Sequence, residues 1–349
     1  MRKPIFLISL LLPAVAVAAG LDLSGQSYMT YGNVNSYSLP IAAQYYSWAN
    51  GGSVGPGNPY YVDSTPGSIK DQVVIYTGAD GKPVTTNVAG FDDAFGAPNG
   101  TKTYASIAGA VNVSDPGNKA GIANNDANTW DASLLAMKSF LAGGTPLFLF
   151  NNNDTNEDQN LAIWAKLWIT DGSGSLVSAS GHDYLYLSNG GLAYGSGGAL
   201  LGDATTYNPG NIVTPTAGFL ATDYVLSGGK VVVSDGSNTE TINHNLGANQ
   251  AAYAGDVPLL NLLLADLFAL NDDVLDGYTL HLDVKLGCVS ADAWGGNCDD
   301  VKIDNGYEQL FLMSNPRGEQ VPEPGALALI GLALASLGWM RWRVRAAIR

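Results

Sequence analysis

Three histidines, two cysteines and a few acidic clusters are the side chains of this 349-residue sequence whose types could do chemistry. His182, His244 and His281 are scattered, and none belongs to a His-x-x-x-His or His-Glu-x-x-His pair that would set two ring nitrogens on one helix face. His281 falls on a polar position of an alternating strand and reads as facing solvent, while His244, between Asn243 and Asn245, reads as holding a turn. Gly51-Gly52-Ser53-Val54-Gly55 has the spacing of a hydrolase nucleophile elbow. That elbow needs a helix after the serine, and Pro56 and Pro59 forbid one, so the run reads as a glycine-rich loop.

Acids offer the next possibility. Asp154-Thr155-Asn156-Glu157-Asp158 begins like a calcium loop, but Gln159 replaces the required glycine and Ala165 the closing glutamate. Asp299, Asp300, Asp304 and Asn305 form a second cluster of hard oxygen ligands, and Asp92 with Asp93 a third. Calcium is therefore the one cofactor for which the sequence offers candidate ligands, with a solvated acidic turn as the competing reading at each cluster. Carboxylate pairs for glycoside hydrolysis would arise by chance among so many acids, so they discriminate nothing. Tyr28, Tyr31, Tyr37, Tyr45, Tyr46, Trp48, Tyr60 and Tyr61 crowd one stretch, either as core-facing strand residues or as a stacking surface for sugars.

Cys288 and Cys298 are separated by nine residues. In an oxidising compartment they most simply form one disulfide, with a zinc pair or a catalytic thiol as the weaker reading because no histidine lies nearby in sequence. No catalytic residue is assigned, and the reading is non-enzymatic.

These side chains need a scaffold, and its pattern is mainly β. Leu161, Ile163, Ala165, Leu167 and Ile169 alternate with Trp164, Lys166 and Trp168. Tyr278, Leu280, Leu282, Val284 and Leu286 alternate with Thr279, His281, Asp283 and Lys285. Shorter strands are expected at 72–77, 83–88, 147–150, 184–187, 230–233 and 308–313, with turns at 79–81, 235–236 and 304–306. One helix is expected from Thr129 as cap, with a stripe of Trp130, Leu134, Met137 and Leu141 ending at Gly143-Gly144. A second runs from near Asp256 through Leu270, with Pro258 in its first turn and leucines around much of its circumference, which predicts burial. The expected fold is an antiparallel β-sandwich-like body, residues 20–320, with about two helices and no clear internal boundary.

The two ends obey a different logic. Arg2 and Lys3, an apolar run from Ile5 to Val17 and the small residues Ala16-Val17-Ala18 make residues 1–19 a secretory signal peptide, handled by Sec-type export. A buried N-terminal helix is the alternative, weakened by Pro13. Val321, Pro322, Glu323 and Pro324 precede an apolar segment at about 325–340, then Arg341, Arg343, Arg345 and Arg349. As a helix, that segment rises about 24 Å, a little short of a bilayer core, so Trp339, Trp342 and the arginines would reach the interface. Removing both ends leaves ten basic and thirty acidic residues, a net charge near −20. Such a surface repels nucleic acid and anionic lipid.

In motif, order and position, residues 321–349 resemble the PEP-CTERM sorting signal. Runs at 148–153, 158–164 and 243–253 resemble other exosortase-dependent surface proteins. The resemblance implies recognition of the tail by the membrane enzyme exosortase, transient anchoring through the C-terminal helix, and a place at the cell surface or in an exopolysaccharide matrix. An ordinary C-terminal anchor is the alternative. The leading reading is a non-enzymatic protein of that surface or matrix; the alternative is a carbohydrate-binding module that takes polysaccharide with or without calcium, and a secreted hydrolase is the third reading.

Overall fold

The computed structural model describes residues 20–26, 28–31, 33–64, 73–77, 87–98, 100–151, 160–178, 183–187, 212–215, 225–227, 230–243, 250–287, 298–300, 302–303 and 308–315. Both expected terminal helices lie outside these residues, and no described helix is long and apolar enough to cross a membrane.

Along the chain, β1 (Met29–Tyr31) and β2 (Val34–Ser38) lead into α1 (Leu39–Asn50), then β3 (Val73–Thr77), β4 (Phe95–Gly96) and β5 (Tyr104–Ser106). Next come β6 (Trp130–Ser133), α2 (Leu134–Leu141), β7 (Thr145–Asn151), β8 (Asn160–Thr170) and β9 (Leu185–Leu187). A small sheet uses β10 (Ile212–Pro215), β12 (Lys230–Ser234) and β13 (Thr239–Asn243), with β11 (Val225–Ser227) between them in sequence. The chain continues through β14 (Tyr253–Asp256), α3 (Pro258–Leu267), α4 (Asp272–Leu275), β15 (Thr279–Gly287) and β16 (Gln309–Asn315).

Seven strands form one sheet in the order β1-β2-β14-β7-β16-β3-β4, antiparallel except for the β3–β4 pair. A second sheet runs β11-β8-β15-β5, with β9 also on β8 and β6 also on β15. Phe148, Phe150, Leu310 and Leu312 from the first sheet share one core with Ile163, Leu167, Leu280 and Leu282 from the second. The body is thus layered and mainly β, as the alternation predicted. The other face of the seven-stranded sheet is buried too: Leu147, Leu149, Phe311 and Met313 meet Leu21, Leu23, Leu39 and Val62. Burial on both faces explains why β7 reads as an unbroken apolar run instead of an alternating one.

Three expectations change. Trp130 is not on a helix: residues 130–133 pair with β15, and the helix starts at Leu134, so Thr129 caps nothing. Helix α1 carries Tyr45, Tyr46 and Trp48, for which core-facing strand positions were one of the two expected readings, and its Pro40 sits in the first turn, where a missing N–H costs nothing. Finally, α3 is amphipathic, not fully buried: Leu260, Leu264 and Leu267 face the core while Leu262 is 62% exposed. Of the shorter strands, those at 72–77, 147–150, 184–187, 230–233 and 308–313 form to within a few residues. The one at 83–88 lies mostly outside the described residues.

Candidate functional site

The densest polar chemistry sits on the face of β15 turned away from the shared core. Pairing sets Asp131 of β6 and Trp168 of β8 directly opposite His281, one on each side. Alternation alone puts His281 in solvent; instead it is 3% exposed, which corrects the sequence reading. The chain before β6 folds over this face, anchored where the Thr279 hydroxyl donates to the Ala123 carbonyl. Trp168 lies over the imidazole at a centroid distance of 5.3 Å and an interplanar angle of 21°.

His281 Nδ1 is 2.8 Å from Asp131 Oδ1, and Nε2 is 2.8 Å from Thr170 Oγ1. A carboxylate has no proton to give, so Nδ1–H donates to Asp131, and Nε2 shares a hydrogen bond with the Thr170 hydroxyl. This is the connectivity of a hydrolase triad: nucleophile, base and orienting acid. Asp131 also accepts from Thr129 Oγ1 at 2.6 Å and from the Asp126 N–H at 2.5 Å.

A second carboxylate backs the first. Asp92 accepts from the Asp131 N–H at 3.0 Å, the Lys119 N–H at 3.1 Å and Asn125 Nδ2 at 2.9 Å. Those donors favour its charged form, yet burial outweighs them and the negative charge of Asp131 adds to it, so its pKa is pushed up to about 6. Lys119 ties the turn down by donating to Asn87 O at 2.6 Å and to Asp93 Oδ1 at 2.7 Å. The expected Asp92–Asp93 cluster is therefore split: Asp92 looks inward onto N–H donors and Asp93 pairs with a lysine.

What the triad lacks is access. Thr170 is 7% exposed, His281 3% and Asp131 0%. A cavity of about 20 Å³ between the two sheets lies on the opposite, apolar side; Val34, Phe148, Phe150, Leu167 and Leu282 are among its lining and none offers a hydrogen bond.

The other sequence candidates are dispersed. Cys298 opens a short turn and is not a free thiol; Cys288 lies outside the described residues, as do Asp304, Asn305, His182, His244 and residues 154–158. Asp299 accepts from Lys302 Nζ at 3.1 Å on the surface, Asp300 shares its turn, and no group of three or more metal-ligating acids, histidines or cysteines occurs among the described residues. Ser53 sits in the irregular loop after α1, where its hydroxyl accepts from the Gly55 N–H at 3.4 Å. Of the tyrosines, Tyr37 is buried, whereas Tyr46 is 38% exposed beside Tyr60, and Tyr45 donates to Ser234 O at 3.0 Å. The sequence missed Thr129, Asp131 and Thr170 as members of the network; Asp131, Ser133 and Thr170 are polar partners of His281 and Thr279 in the strand register, but that register is visible only in the structure.

Residues 320–343 match the PEP-CTERM protein-sorting motif, which contains Val321, Pro322, Glu323, Pro324, Arg341 and Arg343. The motif marks a chain sorted to the cell envelope or surface in dependence on exosortase. No curated protein and no solved structure matches significantly. Residues 19–285 match the family described as a domain of unknown function, DUF8239, and since that match covers most of the chain, the protein belongs to this family and carries a PEP-CTERM tail.

Proposed function

We propose that the protein is a non-enzymatic structural component of the cell surface or exopolysaccharide matrix. The observation that carries this reading is the internal use of its best chemical constellation. A nucleophile must reach a substrate carbonyl, and the Thr170 hydroxyl is instead buried and hydrogen-bonded to His281. In this reading the Thr170–His281–Asp131 network fixes the register of three strands, a role that needs satisfied polar groups and no solvent access. The test is activity-based labelling of the purified protein with a fluorophosphonate, alongside turnover of ester, glycan and peptide panels. Labelling at Thr170, or turnover abolished by Thr170→Val, would establish a hydrolase instead.

A second reading, binding of matrix polysaccharide with or without calcium, is favoured by the exposed Tyr46 beside Tyr60 and by the edge-on Tyr45–Trp48 pair on α1. Calorimetric titration with the host's polysaccharide, in calcium and in chelator, decides it; heats indistinguishable from dilution in both arms rule it out.

A further inference from the structure

The outer side of α3 and α4 is apolar and uncovered. Leu262 is 62% exposed, Val274 49% and Leu270 36%, and Ala265 and Ala269 continue the stripe at helical spacing from Leu262. Exposed acids accompany it: Asp266, Asp272, Asp273 and Asp276. Between residues 251 and 284 the sequence has no lysine or arginine. A ligand for this ridge therefore combines an apolar body with positive charge.

The exit point of the chain lies beside the same ridge. Ser314 Oγ donates to Leu141 O at 2.8 Å, which pins the end of β16 to the last turn of α2, and Gly144 packs on Ser314 and Asn315. One turn back on α2, Lys138 Nζ reaches Asp272 Oδ1 of α4 at 2.8 Å. From Asn315, the ten residues to Gly325 span up to about 33 Å when extended, ample to reach α3. Gly325 begins the apolar stretch 325–340, with Arg341, Arg343, Arg345 and Arg349 behind it.

We infer that the α3–α4 ridge is the docking surface for the protein's own sorting tail, residues 325–345, before that tail enters a membrane. The apolar segment covers Leu262 and Val274, and the arginines meet Asp266, Asp273 and Asp276. A second copy of the body fits worse, because two such ridges would oppose like charges, and an anionic lipid surface is repelled for the same reason. Once the tail spans a bilayer, its arginines lie across the membrane from the body, so docking and insertion exclude one another. The inference goes beyond the matrix role and stands whether or not that role is correct.

The test uses the full chain made by cell-free synthesis, with Leu262→p-benzoylphenylalanine as a photo-crosslinker and light and heavy isotopic chains mixed. In lipid-free buffer, illumination is expected to join position 262 to a peptide from residues 325–349 of the same chain. Reversing Asp266 and Asp273 to lysine, both exposed, should lower the yield several-fold. Adducts joining light to heavy chains would identify self-association, and adducts to lipid in added phosphatidylethanolamine–phosphatidylglycerol vesicles, with none to the tail in buffer, would identify a membrane-facing surface. Either result, or no tail adduct at all, overturns the proposal.

Discussion

Lowering the pH from 7 to 4 should stabilise the folded body through one buried carboxyl, Asp92. Its pKa is pushed from 3.8 to about 6 by burial first and by the nearby charge of Asp131. A group whose pKa is higher in the folded than in the unfolded state binds its proton more tightly when folded. Its stabilising contribution is therefore complete below about pH 4 and disappears as the pH rises through about 6. At about 1.4 kcal/mol for each tenfold change in proton affinity, the gap amounts to about 3 kcal/mol. At roughly 2 °C per kcal/mol for a large domain, the melting temperature moves by about 6 °C. Because acidification also relieves the repulsion of a strongly acidic surface, the assay must compare the wild type with Asp92→Asn at each pH. The variant cannot titrate at this position, and its amide N–H would confront one of the N–H groups that Asp92 accepts from. Calorimetric melting between pH 4 and 7 should show a wild-type slope steeper by about 3 kcal/mol over the interval. Equal slopes for the two proteins would refute the burial argument.

The packing supports three other expectations. His281→Phe removes a donor from buried Asp131 and the hydrogen-bond partner of the Thr170 hydroxyl, and should cost about 3 kcal/mol in urea unfolding, whereas Thr170→Val should cost about 1 kcal/mol; equal losses would mean that the histidine's ring packing, not its hydrogen bonds, matters. Gly287→Ala should lose about 2–4 kcal/mol in the same assay, because φ is +73° and a Cβ would run into the Thr103 carbonyl. Mass spectrometry of the alkylated, unreduced protein should show Cys288 and Cys298 unmodified, with about 3 kcal/mol of stability lost on reduction in the chain-entropy picture; two alkylated cysteines would dispose of the bridge.

Much of the scaffold was legible because single-face burial writes itself into alternation. Residues 161–169 and 278–286 announced β8 and β15, and those two strands pair along most of their length. Leu147-Phe148-Leu149-Phe150 announced a strand without revealing that both faces are covered. The network around His281 was not legible, because alternation separates core from non-core faces but does not say whether a later turn of chain roofs the polar face. His281, Thr279 and Asp283 all sit on that roofed side. Helix α1 was hidden by aromatics that favour strands on average, with Pro40 as the overlooked start signal. The leucines of α3 hid the opposite fact: an all-apolar helix reads as buried, and only the structure shows Leu262 facing out.

Strand β16 is the last of the sheet in sequence, yet it lies between β7 and β3 and bonds to both. If the chain crosses a membrane unfolded with its N-terminus leading, those two neighbours would wait with open edges until residues 309–315 emerged. The sorting motif begins only five residues further on. Completion of the sheet and presentation of the address label would thus be nearly simultaneous, and a polypeptide cut short upstream would be both misfolded and unaddressed.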